Sequence, residues 1–81
     1  MSKAMADARR RVVAIYGEEA GRVLDHLVVM GVLDDVLARR YVLRSEYFHQ
    51  MRIDSRRETA ILLELSDEWG VSREGIMHIC K

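Results

Sequence analysis

Residues 55–81 read SRRETAILLELSDEWGVSREGIMHICK, and the fold turns on this stretch. Ser55 and Glu58 match a capping box, in which the serine side chain accepts from the backbone N–H three residues on and the glutamate reaches back to the serine N–H, so a helix is expected from Arg56. Ala60 or Ile61, Leu62, Leu65 and Trp69 fall on one stripe of that helix, and Gly70 is expected to end it in the left-handed conformation. Ser72 then caps a second helix from Arg73 to about Cys80, with Ile76 and Ile79 turned inward. Two helices that meet after a tight turn need a small residue at their closest approach, a glycine in the turn and apolar residues on their inner faces. Ser66, Gly70 and Val71 stand where those requirements fall.

Upstream the pattern stays helical. Residues 33–51 place Val36, Leu37, Arg40 or Tyr41, Leu43 or Arg44, Tyr47, Phe48 and Met51 along a broad stripe, with Asp34 and Asp35 at the start, where a helix dipole favours acids. Residues 18–30 repeat Ala20, Val23, Leu24, Leu27 and Val28 at three- and four-residue spacing, ending near Gly31. Residues 4–15 set Ala4, Ala8, Val12 and Ile15 near one stripe, and Gly17 offers a break. The chain has no proline, five glycines and no sustained alternation. These features predict an all-α protein: one domain, a small bundle of about five helices, with residues 1–53 a helical, dimerising part and residues 55–81 a helical hairpin.

Eighty-one residues bury a modest fraction of their surface, which favours function on an outer face over an enclosed cavity. The single cysteine, Cys80, has no partner for an internal disulfide, which fits a reducing compartment. No apolar run is long enough to span a bilayer, and the start, MSKAMADARRR, lacks a signal-peptide core. A cytoplasmic location is expected. Thirteen basic and thirteen acidic side chains cancel, but they are segregated. Residues 39–57 carry six arginines against Glu46 and Asp54, and residues 17–38 carry Arg22 against five acids. A basic face is therefore compatible with zero net charge.

The segment Leu62–Lys81 resembles the helix-turn-helix of bacterial and phage repressors and activators, which pair a small residue with a glycine four positions later and apolar residues at the offsets found here. The resemblance covers roughly the last 26 residues. A helical dimerising part followed by a C-terminal helix-turn-helix also resembles small phage activators of the Mor type. The resemblance implies a regulator that binds double-stranded DNA with its second helix in the major groove. Ser72, Arg73, Glu74, Met77, His78 and Lys81 would then face the bases. Arg73 suits guanine, Glu74 a cytosine amino group and Met77 a thymine methyl. Arg56 and Arg57, joined by Arg52, would contact phosphates. Asp67 and Glu68 near the turn, and Gly75 within the second helix, depart from a strong DNA binder.

Other residues have plainer readings. Trp69 lies on the apolar stripe and is expected in the core. His26, His49 and His78 form no pair at the spacing of a helical metal site. Cys80 reads as a small apolar residue, buried or at a frayed end, with no neighbour in sequence to activate it. No catalytic, cofactor or metal site is expected, and the chain does not read as an enzyme. One recognition helix gives little specificity, whereas two helices about 34 Å apart read successive grooves, so a homodimer is expected. Residues 18–30 and the broad stripe of residues 33–51 are the candidate dimer surface. The competing reading is a small adaptor whose hairpin binds a protein partner, favoured by zero net charge and by Met77.

Overall fold

The computed structural model describes residues 2–53 and 58–80. It contains five helices and, among the described residues, no strand: α1 Lys3–Tyr16, α2 Glu18–Val29, α3 Asp35–Ile53, α4 Glu58–Trp69 and α5 Arg73–Cys80. The protein is all-α. The capping residue Ser55 and the expected helix start at Arg56 lie outside the described residues. No helix among those described is long and apolar enough to cross a membrane. The chain divides into two compact units, Met1–Val42 and Leu43–Lys81. The division falls within α3.

In the first unit each helix end has a local cause. The Ser2 side chain accepts from the Met5 N–H at 3.1 Å and caps α1, and its hydroxyl donates to Asp35 at 2.6 Å. Gly17 separates α1 from α2 at φ +95° and ψ 176°, a backbone region that is essentially glycine's alone. Behind α2, the Val32 N–H donates to the Leu27 carbonyl at 2.9 Å and the Gly31 N–H to the Val28 carbonyl at 3.1 Å. This pair of bonds is a Schellman cap and satisfies carbonyls that the helix leaves open. Asp34 caps α3, accepting from the Leu37 N–H at 2.9 Å.

Small residues set the packing of α1 on α2. A Cβ at Gly21 would lie 2.7 Å from Val13 Cγ2 and 3.2 Å from Arg9 Nη2, so Gly21 is where the helices meet. One turn on, Arg9 Nε donates to Asp25 Oδ1 at 2.9 Å and Nη2 to Oδ2 at 3.1 Å. This two-pronged pair holds the Asp25 carboxyl below its usual range, chiefly through the hydrogen bond, and raises Arg9 in turn. On α1, Asp7 accepts from Arg10 and, at 3.2 Å, from Arg11.

The α1 stripe is buried only in its first half: Ala4 and Ala8 are buried together with Met5, whereas Ile15 is 63% exposed. Val23 and Leu27 are likewise exposed. Gly21 faces α1, and Val23, two residues on, lies about 160° away round the helix. The broad stripe of residues 33–51 divides: Leu43 and Tyr47 are buried, as are Ala38 and Val42, whereas Val36, Leu37, Tyr41, Phe48 and Met51 of the candidate dimer surface are exposed. Apolar residues occur on all sides of α3, so periodicity alone does not choose its inner face.

The second unit has a core of larger side chains. Leu43 and Tyr47 of α3, Ile61, Leu62 and Leu65 of α4, and Ile76 and Cys80 of α5 form one buried cluster, with Trp69, Val71 and Ile79 packed against it. Each fully buried leucine or isoleucine contributes about 1.5–3 kcal/mol relative to exposure. This cluster fixes α5 against α4 and thereby decides which side of α5 faces solvent.

Candidate nucleic-acid interface

The hairpin of α4 and α5 is built as its sequence implies. At the end of α4 the Gly70 N–H donates to the Ser66 carbonyl at 2.9 Å, and Gly70 sits at φ +65°. Val71 packs against the core cluster. Ser72 then caps α5 twice: its side chain accepts from the Gly75 N–H at 3.0 Å, and its carbonyl accepts from the Ile76 N–H at 2.9 Å. A Cβ at Gly75 would lie 3.1 Å from both Ser72 Oγ and Val71 Cγ1. Gly75 thus keeps room for the cap, a local role that its low helix propensity had hidden.

Ile76 and Cys80 are fully buried and Ile79 is half-buried, which leaves Arg73, Glu74, Met77 and His78 exposed on a contiguous arc of α5. Arg73 with Met77, and Glu74 with His78, are neighbours at i, i+4 on that arc. Ser72 is exposed at its head, although its hydroxyl is engaged in the cap. The structure thus gathers five of the expected residues along the exposed side of α5 and its cap. Arg52 is exposed in the last turn of a different helix, α3. Arg56, Arg57 and Lys81 lie outside the described residues. Asp67 and Glu68 are exposed at the end of α4.

Burial raises the Cys80 thiol above its ordinary value, with Arg44 opposing the shift. Cys80 is therefore a core side chain, and the deprotonated form needed for reactivity is disfavoured. Among the described residues, no group of three or more His, Cys, Asp or Glu is placed to hold a metal ion.

In comparisons with known proteins, the chain matches no family model, no curated protein and no solved structure.

Proposed function

We propose that this chain is a DNA-binding transcriptional regulator whose α5 enters the major groove. The observation that carries the reading is the division of α5 into a buried side, Ile76 and Cys80, and an exposed arc of Arg73, Glu74, Met77 and His78, directly after a glycine turn and a serine cap. A helix so anchored presents base-reading groups at little entropic cost, because its backbone is already ordered. Arg73 is the guanine reader, Glu74 and Met77 discriminate cytosine and thymine, and Arg52 contacts phosphate. The regulator acts as a homodimer, paired through the exposed stripe of α2 and its C-cap, where Val23, Leu27 and Met30 recur at four and three residues.

The test is selection from a pool of random duplex DNA, followed by salt titration of an enriched site for the wild type and Arg73→Ala. A paired half-site motif is expected, with affinity falling steeply as salt rises. Arg73→Ala is expected to cost about 1–3 kcal/mol and to relax the sequence preference at one position in each half-site. Absence of enrichment at low salt, in protein shown to be folded, sinks the reading.

The acids Asp67 and Glu68, exposed beside the turn, favour a second reading: an adaptor whose hairpin binds a protein. It predicts tight protein binding, weak salt dependence and no enriched DNA site.

A further inference from the structure

The outward face of α3 has a different register from its buried face. Leu37, Tyr41, Arg44, Phe48 and Met51 follow one another at intervals of four, three, four and three residues along this single helix. That mean spacing of 3.5 is the seam of a coiled coil, which keeps one stripe turned toward a partner helix over its whole length. The four apolar members are each between 37% and 44% exposed, and Arg44 is exposed as well. Phe48 among them has a contact from behind: its ring and that of buried Tyr47 meet edge to face, with centroids 5.2 Å apart. A pre-ordered aromatic of this kind is a good binding anchor.

Charge selects the partner. Arg40 and Arg52 are exposed beside the seam and Arg44 stands in its middle. The acids of α3, Asp35 and Glu46, fall on the opposite side of the helix. Self-pairing through this face would set arginine against arginine in either orientation, which is unfavourable. We infer that the outer face of α3 is a docking surface for an acidic amphipathic helix of about two heptads, with apolar residues at its a and d positions and glutamate or aspartate flanking them. An acid opposite Arg44 fixes the register, as a lone polar group in an apolar seam does. The intervals of the seam favour a helix over a nucleic-acid strand, whose phosphates would leave Leu37 and Met51 without apolar contact. The inference shares only Arg52, a phosphate contact, with the DNA reading, and α5 takes no part in it.

The probe is a synthetic peptide with leucine at a and d and glutamate at e and g, too acidic to pair with itself at neutral pH. Its counterpart carries lysine at e and g. Fluorescence anisotropy of each labelled peptide with the full chain is expected to show binding of the acidic peptide at least tenfold tighter than of the basic one. Arg40→Glu/Arg44→Glu, which leaves the phosphate contact Arg52 intact, reverses that preference, and Phe48→Ser weakens the acidic peptide at least tenfold. All three positions are exposed, and far-UV circular dichroism verifies that the variants fold. The inference is overturned if neither peptide binds, or if both bind equally. It is equally overturned if labelled single-stranded or duplex DNA occupies this face, lost on the arginine reversal, in place of the acidic peptide. Self-association of the wild type that the same reversal abolishes would make the occupant a second copy and also overturn it.

Discussion

Gly17 alone separates α1 from α2, and its φ of +95° with ψ of 176° is closed to side chains by the backbone itself. No atom stands within 4 Å of where its Cβ would be. Gly17→Ala is therefore a backbone experiment: nothing is overpacked, and the whole penalty comes from forcing alanine into that region. The expected loss is about 1–3 kcal/mol, read as a lower urea midpoint by far-UV circular dichroism with an unchanged slope. An unperturbed midpoint would show that the α1–α2 connection relaxes freely. Gly21 poses the opposite problem. Its backbone is ordinary helix, and what alanine would meet there is Val13.

At the scale of elements, the contact between α1 and α2 rests on that glycine and on the Arg9–Asp25 pair. Gly21→Ala gains about 1 kcal/mol of helix propensity and loses about 1–3 kcal/mol to overpacking. The net expectation is destabilisation, because branched Val13 turns aside poorly. Val13→Ala should restore Gly21→Ala more than additivity allows, and a purely additive double-mutant cycle would remove the contact as the cause. The ion pair gives a pH dependence of known sign. Asp25 is held below its ordinary carboxylate value, so its contribution is present above the unfolded-state pKa of about 3.9 and is lost as pH falls through the folded value. Urea midpoints of the wild type should drop on acidification below about pH 4, and Asp25→Asn should flatten part of that drop. Identical profiles would show the pair to be energetically silent, as exposed pairs often are. These two elements also mark what a sequence discloses. Glycine breaks at Gly17, Gly31 and Gly70 and the cap at Ser72 were legible because caps and turns depend on residues within one turn. The inner faces of α2 and α3 were not, because α2 is oriented by a single glycine and α3 carries apolar residues on every side. The exposed arc of α5 was legible because Ile76 and Ile79 left one inner side to choose. The α3 stripe was legible as a candidate dimer surface, but its mixture of apolar residues did not separate the buried Leu43 and Tyr47 from the exposed seam.

Across the whole molecule the two units bury unlike material. The buried side chains of the first are mostly alanine, with Met5 and Val42, and the only buried residue of α2 is Gly21. The second buries Leu43, Tyr47, Ile61, Leu62, Leu65, Ile76 and Cys80 in one cluster. Since local opening costs what the opened segment had buried, α2 should be the first helix to exchange its amide hydrogens and α4 the last. The stripe of Val23, Leu27 and Met30 then gives α2 a second source of protection that a single chain lacks. If two chains pair through it, association stabilises the folded form by mass action, and exchange from α2 slows as protein concentration rises. Amides of α4 should respond much less, because their protection in dilute solution already comes from their own core. Hydrogen exchange followed over a hundredfold range of concentration distinguishes the cases. Slowing centred on α2, and abolished by Leu27→Glu, is the expected result. Exchange independent of concentration throughout would mean that α2 pairs with no second copy, and a recognition helix on α5 would then have to read DNA as a single unit.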